Sequence, residues 1–204
     1  MSFYGFARGL VKLYYRIVFR VKAEGLENLE PGRNYVVCPN HKSLNDPPLL
    51  GTCVKTSLRF MAKEELFENK LFGALISVLG AFPVKRGEGD LAALKAAIKL
   101  LKDGENLVIF PEGARSPKEH LHKGKSGAVL IAVKAGVDIV PVGICGTYKL
   151  FSKMTVRFGK PIRLGEYFGK RVDSDTLQDI TDNRLMPAIS ELSGVPTYED
   201  KNCG

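Results

Sequence analysis

A chain of 204 residues, 45% hydrophobic and 25% charged, is long enough for one domain that buries roughly 70% of its unfolded surface. That balance excludes disordered and low-complexity classes. A net charge of +8, from 30 basic and 22 acidic side chains, suggests an anionic partner: a membrane, a nucleic acid, a phosphorylated substrate or an acidic carrier protein.

Residues 3–19 open the chain with an amphipathic pattern. Arg8, Lys12, Arg16 and Arg20 recur every four positions and form one drifting stripe on a helix. Phe3, Phe6, Leu10, Leu13, Tyr14 and Ile17 cover the opposite side, widened by Tyr4, Val11 and Val18. Such a helix can lie in a bilayer interface, or pack on its own domain; the residues leave both open. Gly5 and Gly9 weaken it in isolation and favour one stabilised by a surface. The same cations interrupt every apolar run near the start, so no cleavable leader is visible. The longest uncharged stretch, 71–84, has 14 residues and falls short of the ~20 that span a bilayer. The expectation is a peripheral protein with an interfacial helix at 1–20, a domain at 21–196 and a polar tail at 197–204.

From residue 20 onward, strand patterns at 20–24, 34–38, 58–62, 81–85, 106–110, 139–144 and 154–158 alternate with helix patterns at 47–56, 64–79, 90–102, 125–136 and 174–193. Segment 64–79 turns from charged to apolar and reads first as a core helix. In 90–102, Asp90 can cap, Leu91, Leu94, Ile98 and Leu101 line one face, and Gly104 ends the helix. Pro187 is expected to kink the last helix. The alternation implies an α/β fold: one domain, a mostly parallel central sheet, helices on its faces. Ligands in such sheets sit at the carboxyl ends of the strands.

Three polar stretches follow strands there. In Asn40-His41-Lys42-Ser43-Leu44-Asn45-Asp46, the aspartate can hold one imidazole nitrogen and leave the other to take a proton from a hydroxyl. Many loops hold such a pair as a structural hydrogen bond. Phe82-Pro83-Val84-Lys85-Arg86-Gly87 ends in cations able to bind phosphate through parallel hydrogen bonds. In Phe110-Pro111-Glu112-Gly113-Ala114-Arg115-Ser116, Gly113 lets backbone approach a ligand, Glu112 can accept from a hydroxyl, and Arg115 adds an anion ligand. Lys123-Gly124-Lys125-Ser126 precedes a helix, where cations and free N–H groups also favour an anion.

Other candidates are weaker. No strained nucleophile elbow surrounds Ser43. Cys38 falls in an apolar strand. His120 and His122 lack partners at metal-ligand spacing, and cysteines 38, 53, 145 and 203 form no CxxC pair. Reduced thiols in a cytosolic compartment, with no metal, are expected.

Taken together, His41 with Asp46 five positions on, Phe82 to Arg86, Phe110 to Ser116, and Ile139-Val140-Pro141-Val142-Gly143 resemble, in order and spacing, the four sequence blocks of the glycerolipid acyltransferases, the bacterial lysophosphatidate enzymes above all. The likeness covers roughly residues 30–165. It implies that His41 is the general base on the acceptor hydroxyl, oriented by Asp46. Arg86, Glu112, Gly113 and Arg115 would hold the glycerol phosphate, Lys63 would stand near it, and Lys123 would add charge. The Pro141 block would shape the core beside the site, and 64–79 would suit the wall of an acyl-chain pocket. The donor would be acyl-CoA or acyl-carrier protein, with no cofactor. Partners would be lysophosphatidate and an anionic membrane surface on the cytoplasmic side; no basic–aromatic motif points to nucleic acid. The second block departs from the usual Phe-Ile-Asp-Arg, and Ala114 stands where threonine is common. Both changes leave the acceptor headgroup open to another lyso-lipid. Thioester hydrolysis and a non-catalytic phospholipid-binding module are the remaining alternatives.

Overall fold

The computed structural model describes residues 3–54, 56–84, 91–116 and 119–198. In chain order the elements are α1 (Phe3–Phe19), β1 (Val21–Glu24), β2 (Tyr35–Pro39), α2 (Asp46–Cys53), β3 (Leu58–Lys63), α3 (Lys70–Val78), β4 (Ala81–Val84), α4 (Leu91–Lys102), β5 (Asn106–Val108), α5 (Gly127–Ala135), β6 (Asp138–Gly146), β7 (Met154–Phe158), α6 (Ser174–Ile180) and α7 (Met186–Ser193).

Every strand expected from the sequence forms, in one seven-stranded sheet of order β1-β7-β6-β2-β5-β3-β4. The pairs are parallel except β6 with β7. Strands β6, β2, β5, β3 and β4 therefore point their carboxyl ends the same way, and those ends lie side by side.

Strand β2 is buried along its whole length, and its alternation sorts the core into two layers. Val36 and Cys38 face a cluster built with α4, α5, α6 and α7. Tyr35 and Val37 face a second cluster with α1, α2 and the inner face of β7. The Ile139-to-Gly143 block lies in β6. A Cβ on Gly143 would fall about 2.2 Å from the backbone of Leu192. Glycine there is what lets α7 close onto the sheet.

Three helical expectations change in detail. Segment 64–79 is not one helix: a 3-10 turn at Glu64–Phe67 precedes α3. Asn69 restarts the chain as a cap, its side chain accepting from the N–H groups of Leu71 and Phe72 at 3.1 and 3.0 Å. Nor is α3 a core helix. Leu71 is 87% exposed, Phe72 and Leu75 are also exposed, and only Gly73 is buried. The last helix bends through a π-helical turn at Thr181–Leu185, just ahead of Pro187. Proline lacks the N–H for the preceding turn and its ring crowds the carbonyl four residues back, so a widened turn relieves both.

Helix α1 resolves the two readings of its apolar residues into two different stripes. Val11, Tyr15, Val18 and Phe19 pack on the domain, with burial of Phe19 alone worth about 1.5–3 kcal/mol. Leu10, Leu13, Tyr14 and Ile17 lie outward, Leu13 at 55% and Ile17 at 58% exposure. No helix among the described residues is long and apolar enough to cross a membrane.

Candidate active site

Past Pro39 the chain leaves the sheet, but its exit is held. The Asn40 amide imitates one more rung of the β2–β6 ladder: its Oδ1 accepts from Ile144 N–H at 2.7 Å and its Nδ2 donates to Ile144 O at 3.3 Å. The turn that follows wraps around Asp46, which is 0% exposed. Asp46 Oδ2 accepts from the backbone N–H groups of Lys42 and Ser43, each at 2.7 Å, and from His41 Nδ1 at 2.8 Å. Because a carboxylate so surrounded acts as an acceptor, Nδ1 carries the proton and Nε2 presents its lone pair. Among the described residues no protein group bonds Nε2.

The imidazole is also held from the side. The Phe110 ring lies against it at 4.0 Å between centroids, tilted by 31°. The His41 N–H donates to Glu112 Oε1 at 2.8 Å, and the His41 carbonyl accepts from Ser116 N–H at 2.8 Å. Strand neighbours β2 and β5 thus bring together the two turns read from sequence as walls of one site.

Glu112 meets backbone at both of its oxygens. Its second oxygen accepts from His122 N–H at 2.8 Å, and the residue is 3% exposed. Each oxygen accepts from a backbone donor of a different loop, which makes Glu112 a strut for the His41 backbone. Burial pushes its pKa above the usual carboxylate range, opposed by those two backbone donors.

Gly113 sits at φ 70°, in the left-handed region. A Cβ there would meet the Lys125 side chain at 3.1–3.3 Å, Nζ included. Lys125 therefore crosses the turn, anchored by its own N–H to Pro111 O at 2.9 Å. Arg115 is exposed on the same turn, and its carbonyl accepts from His122 Nε2 at 3.2 Å. Lys123 goes elsewhere: it lines a separate hollow of about 180 Å³ with Asp182, Asn183 and Tyr198. The cation over Gly113 is the neighbour two positions on. Lys63 ends β3, in register with Val84 at the end of β4. Arg86 lies outside the described residues.

The two weaker nucleophile candidates can also be placed. Cys38 is buried, which pushes its thiol pKa up, and Ser43 Oγ accepts from Asn45 N–H at 3.1 Å. Lys42 turns its ammonium onto the carbonyls of Ile144 and Gly146 at 2.9 and 2.7 Å. Tyr148, after β6, donates its hydroxyl to Asp46 Oδ1 at 2.6 Å.

Beside His41 opens a cavity of about 590 Å³, within the roughly 300–1,000 Å³ of small-ligand sites. Leu44 and Phe110 line it together with Phe60 and Met61 of β3, Phe72, Leu75 and Ile76 of α3, and Leu10 and Tyr14 of α1. Among the described residues no charged side chain lines it. It suits a hydrocarbon chain, and its mouth is ringed by the exposed apolar residues of α1 and α3.

The chain that carries this histidine–carboxylate pair has relatives among known proteins. The family model described as Acyltransferase matches residues 20–145. A 1-acyl-sn-glycerol-3-phosphate acyltransferase of Streptococcus pneumoniae is 31% identical over 93% of this chain and 73% of its own length. One from Bacillus subtilis is 32% identical over 80% of this chain and 84% of its own. The crystal structure of the 1-acyl-sn-glycerophosphate acyltransferase from Thermotoga maritima superposes with a TM-score of 0.72 at 30% identity, covering 93% of this chain and 79% of that one. With the family model matched over residues 20–145, relatives above 30% identity over most of the chain and a shared overall fold, this chain belongs to the acyltransferase family.

Proposed function

We propose that the protein transfers a fatty acyl group from a thioester to the sn-2 hydroxyl of 1-acylglycerol-3-phosphate, giving phosphatidate. The observation that carries this reading is the 2.8 Å contact between His41 Nδ1 and a fully buried Asp46, with the Phe110 ring that lies against the imidazole also lining the apolar cavity.

The chemistry follows from the tautomer. Full deprotonation of an alcohol is out of reach at neutral pH, so Nε2 takes the proton as the hydroxyl oxygen bonds to the thioester carbonyl carbon. The C–S bond then breaks, and the thiolate leaves with the proton returned from the imidazolium. Asp46 supports the transient positive charge. Such base assistance is worth about 10²–10⁴-fold, and fixing two substrates on one enzyme can supply about 7–11 kcal/mol more.

Arg115 and Lys125 are the described cations at the Gly113 turn, and they are proposed to bind the acceptor phosphate with Lys63, at the end of β3, and with Arg86. Either acyl-CoA or acyl-carrier protein presents the required thioester. The outward stripe of α1 and the exposed face of α3 suit an anionic bilayer, with Lys12 and Arg16 at headgroup level. Docking there would bring the cavity mouth to the lipid that holds the acceptor, on the cytoplasmic face of the membrane.

The test is thiol release from palmitoyl-CoA with and without 1-acylglycerol-3-phosphate, with the lipid product identified by mass spectrometry. Phosphatidate formed only with acceptor supports the reading. Free fatty acid released equally without acceptor would replace it with hydrolysis.

A further inference from the structure

Asp46 divides its hydrogen bonds unevenly. Oδ2 takes three donors, from His41 Nδ1, Lys42 N–H and Ser43 N–H. Oδ1 takes the Tyr148 hydroxyl at 2.6 Å. A carboxylate held by one oxygen keeps a soft torsion about its last bond. Held by both, it aims the Oδ2 lone pair at Nδ1 and stays there.

Tyr148 is itself held. The Phe19 ring of α1 stands edge-on to it at 5.4 Å and 89°, and Lys42 Nζ lies 5.9 Å from its centroid on the other contact. The loop that carries Tyr148 is fastened to the end of α1. Phe151 N–H donates to Val18 O at 2.7 Å, and the Arg20 guanidinium donates to Phe151 O at 3.1 and 3.0 Å. A second strut runs in parallel, from Tyr15 OH to Asn45 Oδ1 at 2.9 Å.

We propose that Tyr148 is a positioning residue for acyl transfer: its hydroxyl fixes Asp46 Oδ1, and Phe19 of α1 fixes Tyr148. This rests on the reading of His41 and Asp46 as the general-base pair. The phenol remains a donor across the working range, because burial and the neighbouring Asp46 raise its pKa well above the usual tyrosine value.

The other titratable groups around this cluster are Lys42 from the same turn, Tyr15 from α1, Cys53 from α2, Cys145 from β6 and Glu112 from the turn after β5. Removing the Tyr148 hydroxyl leaves all of them in place. A change in the pH profile is then attributable to Asp46 and His41.

The experiment compares Tyr148→Phe, Phe19→Leu and His41→Ala in the full chain, with palmitoyl-CoA and 1-acylglycerol-3-phosphate. Thermal melts establish that each variant is folded. Tyr148→Phe is expected to lower kcat about tenfold with the acceptor KM within about twofold. It should also move the acid limb of kcat/KM up by about 0.5–1 pH unit, since a less shared carboxylate charge favours the imidazolium. Phe19→Leu keeps the hydroxyl, and should shift both quantities in the same directions by less. A parental kcat and pH profile in Tyr148→Phe, with His41→Ala inactive, overturns the proposal and spares the base. Parental turnover in His41→Ala overturns the general-base reading itself. A parental Phe19→Leu removes α1 as the brace.

Discussion

The backbone N–H of His41 and the side chain of Glu112 meet at 2.8 Å, although 71 residues separate them in sequence. The glutamate thereby ties the loop bearing the base to the turn after β5, and through His122 to a third loop. The position of Nε2 depends on a carboxylate that does not touch the imidazole.

Glu112→Gln tests that dependence. The amide keeps the shape but turns an NH2 group toward one backbone donor, leaving a buried pair unsatisfied at about 1–3 kcal/mol. The melting temperature should fall, and kcat with it. The pH dependence has a definite sign. The folded carboxyl binds its proton more tightly than the unfolded one, so the parent loses stability as pH rises from the ordinary carboxylate value through the raised one. The advantage of the parent over Glu112→Gln should shrink across that window in melts at stepped pH. A gap that widens would contradict it.

Gly113→Ala places a Cβ at φ 70° within 3.1–3.3 Å of the Lys125 side chain. The left-handed conformation costs a residue with a Cβ about 1–2 kcal/mol, and Lys125 must move aside. If the turn binds the acceptor phosphate, the KM for 1-acylglycerol-3-phosphate should rise several-fold more than that for palmitoyl-CoA. Steady-state kinetics with each substrate varied in turn decides this.

The exposed side of α1 should matter for lipid and not for folding. Leu13→Glu with Ile17→Glu alters two outward residues while Tyr15 and Phe19 keep the helix on the domain. Each apolar side chain removed from lipid forfeits about 1.5–3 kcal/mol. Binding to phosphatidylglycerol vesicles in a flotation assay should therefore drop by more than about tenfold at an unchanged melting temperature. Undiminished flotation would show that another surface makes the contact.

What was legible in the sequence divides along a physical line. The seven strands could be read because short apolar runs between turn residues need no partner to be identified; Tyr35–Pro39 is buried on both faces and reads as a continuous run. The pairing of His41 with Asp46 is local, five residues long. The orientation of α3 was not legible: Leu71 and Phe72 look like core until one knows that nothing covers them. In α1 the residues that turn inward, Tyr15 and Phe19, differ little in hydrophobicity from those that turn out. Nothing near Tyr148 marks it, because its partner Asp46 lies 102 residues away. That Lys125 and not Lys123 crosses Gly113 was hidden for the same reason: it depends on where α5 begins. The backbone contacts of Glu112 were not legible either, since a carboxylate that binds a ligand and one that binds backbone look alike in a sequence.

The most direct measurement is acyl transfer by His41→Ala beside the parent, read as phosphatidate formed from palmitoyl-CoA and 1-acylglycerol-3-phosphate, with thermal melts and vesicle flotation run on both. Loss of the base predicts a kcat lower by about 10²–10⁴-fold, with folding and membrane binding retained. Phosphatidate formed at the parental rate by His41→Ala would contradict the account.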